Sequence, residues 1–228
     1  MVSKLILLSL FVFIAILVLF LNNRSMLSET YTYLALGDSY TIGEGVAINE
    51  SFPYQTIQLL RKAGNSFNAP EIVAKTGWTT DELKKAIRET HFQKSYHFVS
   101  LMIGVNDQYR GKTANEYAKN FEQLLLQAIN FAANKTQHVF VLSIPDWGKT
   151  PFADGIDHEM VSNEIDAFNA ACEKIAKQHH VQYISVSGDM KESFLDESLL
   201  AADKLHPSGI EYSRWAYQLA DGIQKLLL

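Results

Sequence analysis

The sequence predicts an α/β fold in which a parallel sheet is covered by helices on both faces. Three observations carry that reading. Five short apolar runs are separated by segments of helical spacing, so strands and helices alternate along the chain. Serine, glycine or asparagine stands just beyond each of the first three runs, where open α/β sheets build their sites. No repeat, low-complexity tract or long linker divides the chain after residue 30, so 31–228 reads as one domain behind an N-terminal segment, 1–30.

Taken in order, the first run is Thr32 to Leu36, followed by Gly37-Asp38-Ser39 and by helical spacing from Tyr54 to Lys62. The second, Glu71 to Lys75, leads through Thr76-Gly77-Trp78 into a helix over Asp81 to Thr90. The third, Phe98 to Ile103, is followed by Gly104-Val105-Asn106-Asp107 and a helix over Ala114 to Asn134. The runs His138 to Ile144 and Gln182 to Val186 bracket a helix over His158 to Gln178, and Ile210 to Lys225 closes the chain. Thr79-x-x-Glu82 and Ser208-x-x-Glu211 fit the capping box, in which a hydroxyl and a carboxylate satisfy the unpaired donors of a helix start.

The N-terminal segment is of a different kind. Leu5 to Leu21 is apolar except for Ser9, with Lys4 before it and Arg24 after it. As a helix it would reach roughly 25 Å, slightly short of a hydrocarbon core of about 30 Å. It reads as an uncleaved membrane anchor or as a signal-peptide core. The anchor is preferred because Phe20 to Met26 offers no small-residue cleavage pattern. The expected location is therefore membrane-anchored with an extracytoplasmic domain, or exported after cleavage.

Composition excludes several classes. The chain carries 20 Lys and Arg against 25 Asp and Glu. Setting aside Lys4 and Arg24 leaves the domain at about −7, which makes nucleic acid an improbable partner. The single cysteine, Cys172, excludes an intramolecular disulfide and sits in a helical pattern as a small core residue. No phosphate-binding loop or zinc-ligand spacing is present, and Asp154 to Glu159 lacks the ligand spacing of a calcium loop, so neither metal nor cofactor is expected. His91, His97, His179 and His180 are read as solvent-exposed.

Two strings carry the chemistry. Leu34-Ala-Leu-Gly-Asp-Ser-Tyr40 places a serine after an apolar run, and Asp203-Lys-Leu-His-Pro207 places an aspartate three residues before a histidine. Ser39 could act as nucleophile, His206 as its base and Asp203 as the carboxylate that orients the ring. Each string alone has an ordinary structural reading as turn chemistry. Gly77 and Asn106 alone could likewise end a strand or cap a turn.

All four blocks together resemble the SGNH hydrolases, also called GDSL esterases and lipases, including their lysophospholipase-like and arylesterase-like members. Gly-Asp-Ser-Tyr around Ser39, Gly77, Gly-x-Asn-Asp around Asn106 and Asp-x-x-His-Pro around His206 occur in the family's order, from about Tyr31 onward. Tyr40 stands where the family name has leucine. The resemblance implies a three-layer α/β/α sandwich of five parallel strands, flavodoxin-like in topology. It also implies an oxyanion hole made by the backbone N–H groups of Ser39 and Gly77 and the side-chain amide of Asn106.

The loop Ile144 to Ala153 should border the site. With Tyr40, the aromatic residues Trp78, Tyr109, Trp147 and Phe152 are candidates for lining an acyl or alcohol pocket. Asp38 and Asp107 are read as structural supports. The expected activity is hydrolysis of small acyl esters, acetylated glycans or lysophospholipids through an acyl-enzyme on Ser39. An acyltransferase with the same residues is the neighbouring alternative, and an inactive binding module of the same fold the alternative of another class.

Overall fold

A computed structural model describes residues 30–186 and 196–228. The expected N-terminal hydrophobic helix lies outside those residues. Among the described residues no helix is long and apolar enough to cross a membrane.

Five parallel strands form one sheet: β1 (Tyr33–Gly37), β2 (Glu71–Ala74), β3 (Phe98–Met102), β4 (Val139–Leu142) and β5 (Gln182–Ile184). Their order is β2-β1-β3-β4-β5, the doubly wound order that reverses direction at β1. β1, β3 and β4 are buried at every position, whereas the edge strands β2 and β5 are largely half-buried. This explains why the central runs read as continuously apolar.

The α-helices among the described residues are α1 (Ser39–Ile42), α2 (Phe52–Lys62), α3 (Thr80–Glu89), α4 (Val105–Tyr109), α5 (Ala114–Phe131), α6 (His158–Gln178) and α7 (Gly209–Leu227). Right-handed crossovers decide their faces. The chain moves one way from β1 to β2 and the other way from β2 through β5, so α2 lies on one face and α3, α5 and α6 on the other. Helix α7 joins α2: Phe52 stands 6.5 Å from Tyr212 and 6.3 Å from Trp215, ring centre to ring centre. On the opposite face Tyr117 of α5 stacks on Phe168 of α6 at 4.6 Å. These aromatic side chains are fully or almost fully buried, each stabilising the fold by about 1.5–3 kcal/mol.

One capping box forms as expected and one does not. Glu82 accepts from the Thr79 backbone N–H at 2.8 Å and from its hydroxyl at 2.9 Å. Ser208 Oγ is buried without a partner, the Ser208 N–H donates to the Leu199 carbonyl at 2.8 Å, and Glu211 turns its carboxylate to the Trp215 indole at 3.1 Å and to Arg214 at 3.2 Å. A third box, Thr113 with Glu116, opens α5. The histidine reading also needs correction. His91 and His180 are exposed, but His97 is half-buried beneath the Thr32 backbone N–H at 3.0 Å and His179 meets Glu122 at 2.8 Å.

Candidate active site

The site forms where β1 and β3 end, at the point of strand reversal. Ser39 is the first residue of α1, directly after β1, and it is buried. Asp38 caps that short helix, its Oδ1 accepting from the Tyr40 N–H at 3.1 Å. A Cβ at Gly37 would collide with the Thr41 hydroxyl and the Met102 carbonyl, so only glycine lets the chain turn here against β3.

His206 arrives from the loop ahead of α7. Its Nε2 lies 2.9 Å from Ser39 Oγ, and its Nδ1 lies 2.6 Å from Asp203 Oδ2. Burial opposes ionisation of Asp203, but the His206 ring and the backbone N–H groups of His206 and Leu205 outweigh it and hold the carboxyl below its usual range. A carboxylate can only accept, so Nδ1 carries the ring proton and Nε2 turns a lone pair to the serine hydroxyl. Lys204, with φ of 59°, makes the left-handed turn that folds Asp203 back on the ring. The Ala201 N–H to His206 carbonyl bond, 2.8 Å, and the Leu200–Pro207 bridge tie the loop down.

Gly77, on the loop after β2, and Asn106, in the first turn of α4 after β3, line the same cavity as Ser39. Gly77 has φ of 80°, a conformation that side-chain-bearing residues rarely adopt. Its lack of a Cβ is not a matter of protein packing, since an added Cβ would meet only Arg110 Nη2 at 3.8 Å. Asn106 donates one amide hydrogen to the Trp78 carbonyl at 3.1 Å, leaving the second free to aim at a ligand.

These groups open on a cavity of about 180 Å³ whose polar end is Ser39, His206, Gly77 and Asn106. Tyr109, Trp147, Phe152 and Leu205 supply its apolar wall, and Tyr40 also borders it. Tyr40 packs against the His206 ring at 4.9 Å. Trp78 does not line the cavity; its side chain packs against the core and its carbonyl is what serves the site. Trp147 is held by a bond the sequence does not announce: its indole N–H donates to Gln108 Oε1 at 2.7 Å, and Gln108 donates to Glu164 at 2.6 Å.

The two supporting aspartates differ. Asp107 accepts from the Thr80 N–H at 2.8 Å and its hydroxyl at 2.6 Å, and pairs with Lys112 at 2.9 Å. Among the described residues Asp38 Oδ2 finds no hydrogen-bond partner and is buried. Burial, with the nearby Asp107 charge, pushes its carboxyl up to about 7. Cys172 is buried in the core, where burial pushes its thiol up to about 12. In the string Asp154 to Glu159, Asp157 caps α6 by accepting from the Met160 N–H at 3.0 Å. Among the described residues no cluster of three His, Cys, Asp or Glu is placed to hold a metal ion.

The sequence profile of the GDSL-like lipase/acylhydrolase family matches residues 35–212. The chain belongs to that family. This acylhydrolase also shares its fold with solved structures. A lipase/acylhydrolase from Enterococcus faecalis is 18% identical, with a TM-score of 0.69 over 86% of this chain and 96% of that one. The psychrotrophic esterase EstA from Pseudoalteromonas sp., solved in a form inhibited by monoethylphosphonate, is 18% identical with a TM-score of 0.66 over 86% and 98%. The acetylxylan esterase Axe2 from Geobacillus stearothermophilus is 19% identical with a TM-score of 0.66 over 87% and 96%. A search of curated proteins returns no match.

Proposed function

We propose that this GDSL-like acylhydrolase is a serine esterase that hydrolyses short-acyl carboxylic esters through an acyl-enzyme on Ser39. The observation that carries this reading is the unbroken chain Asp203–His206–Ser39, at 2.6 Å and 2.9 Å, ending in a cavity lined by Gly77 and Asn106. Ser39 Oγ attacks the ester carbonyl carbon while His206 Nε2 takes its proton, and Asp203 stabilises the imidazolium that results. The Ser39 and Gly77 N–H groups and the free Asn106 amide hydrogen meet the oxyanion. As the tetrahedral intermediate collapses, the ester C–O bond breaks and His206 gives its proton to the alcohol. Water, deprotonated by the same ring, then releases the acid and restores Ser39.

Cavity size argues for a short acyl group. At about 180 Å³ it falls below the roughly 300–1,000 Å³ of pockets that enclose drug-sized ligands. Tyr109 and Phe152, both exposed, lie at its rim, where flat rings can stack on a sugar carrying the ester. An acetylated glycan therefore suits the site better than a lysophospholipid, and the likeness to an acetylxylan esterase fold is consistent with that preference. The apolar run Leu5 to Leu21 supports placing the enzyme at a membrane with its catalytic unit outside, which reporter fusions on either side of the run would test.

The test of activity is a panel of esters of rising acyl length beside acetylated sugars and a lysophospholipid. Acetyl to butyryl esters should be cleaved fastest; a preference for long acyl chains would contradict the reading.

A further inference from the structure

The loop carrying Gly77 and the segment carrying Asn106 hold one another by a row of contacts. Asn106 donates to the Trp78 carbonyl, Asp107 accepts from Thr80, and Lys112 pairs with Asp81 at 2.7 Å. Arg110 completes the row. Its Nη2 donates to the Gly77 carbonyl at 2.6 Å, while Nη1 reaches both Glu82 oxygens at 3.2 Å. Glu82 is itself fixed by the Thr79 N–H and hydroxyl at the start of α3.

We propose that Arg110 is a positioning residue for the oxyanion hole, clamping the Gly77 loop so that the Gly77 N–H and the Asn106 amide converge on one oxygen. The inference rests on the esterase reading above. Gly77 has no side chain of its own to anchor it and the freest backbone of any residue, and it borders a solvent-facing cavity, so its orientation must be held by a neighbour. Pinning the Gly77 carbonyl fixes the peptide plane on one side of its Cα and restrains the plane on the other, which carries the N–H. A guanidinium suits this task because its planar fork serves a carbonyl and a carboxylate together; an ammonium is a single point charge. Taken as a surface ion pair, Arg110–Glu82 would contribute little, since both side chains are about half exposed. Its bond to Gly77 is the feature that such a pair does not require.

The test compares Arg110→Met and Arg110→Lys with the unaltered protein on the best ester of the panel, with sites counted by fluorophosphonate titration. For Arg110→Met, kcat per titrated site should fall about ten- to hundredfold, the scale of a slight misplacement in a preorganised site. KM should move by less than about threefold, because the lost interaction belongs to the transition state. Arg110→Lys should recover part of the loss, and guanidinium ion added to Arg110→Met should recover part as well. A kcat per titrated site left unchanged in both variants would overturn the inference, even if Arg110→Met yields fewer folded molecules. An unaltered protein that cleaves no ester and takes up no fluorophosphonate would overturn the esterase reading and this inference with it.

Discussion

His206 Nε2 stands 2.9 Å from Ser39 Oγ although 167 residues separate them in sequence. Two different ends of the fold bring them together. Ser39 is fixed by the end of central strand β1 and the Asp38 cap, and His206 by a short loop leading into α7. Tyr40, packed against both the His206 ring and Trp215, bridges those two supports within the core.

If Asp203 fixes the ring tautomer, Asp203→Asn should fold normally yet lose on the order of 10⁴ in kcat, since an amide can present its N–H to Nδ1 and reverse the tautomer. Steady-state kinetics on the best ester measures this.

In the proposed mechanism Asn106 supplies a side-chain donor to the oxyanion. Asn106→Ala should lower kcat by about 10²–10³ with a small change in KM. Its loss also leaves the Trp78 carbonyl without its 3.1 Å donor, so the thermal midpoint should fall by a few degrees.

Trp147 is tied into the apolar wall by its bond to Gln108, which in turn donates to Glu164. Trp147→Ala should open the cavity and move the acyl preference toward longer chains. Gln108→Leu should loosen the indole and shift the preference in the same direction by a smaller amount. Both effects are read from kcat/KM ratios across the ester panel.

Asp38 predicts a distinctive dependence of stability on pH. Its folded carboxyl is raised to about 7 by burial, above the roughly 3.9 of an unfolded aspartate. The folded state therefore keeps a proton that the unfolded state releases, and this stability is lost as pH rises from about 4 to about 7. Asp38→Asn keeps the helix cap without the ionisation. Relative to Asp38→Asn, the unaltered protein should lose up to about 1.4 kcal/mol per pH unit across that window, as read by denaturant melts.

Much of the sheet was legible because β1, β3 and β4 are buried on both faces and so spell out continuous apolar runs. The short helices α1 and α4 were not, since four or five residues are too few to show a helical period. Ser208 with Glu211 had the spacing of a capping box, but the Ser208 N–H goes to the Leu199 carbonyl and the carboxylate to a buried indole one turn further on. Trp78 looked like a pocket residue because aromatic content says nothing of side-chain direction. Arg110 and Gln108 left no signal, as their partners Gly77 and Trp147 lie 33 and 39 residues away in sequence and are met only through the fold.

The most direct test of the account is to treat the protein with a fluorophosphonate and locate the adduct by peptide mass spectrometry. The account predicts one adduct, on Ser39, abolished together with ester hydrolysis by Ser39→Ala. An adduct on another serine, or hydrolysis that survives Ser39→Ala, would contradict it.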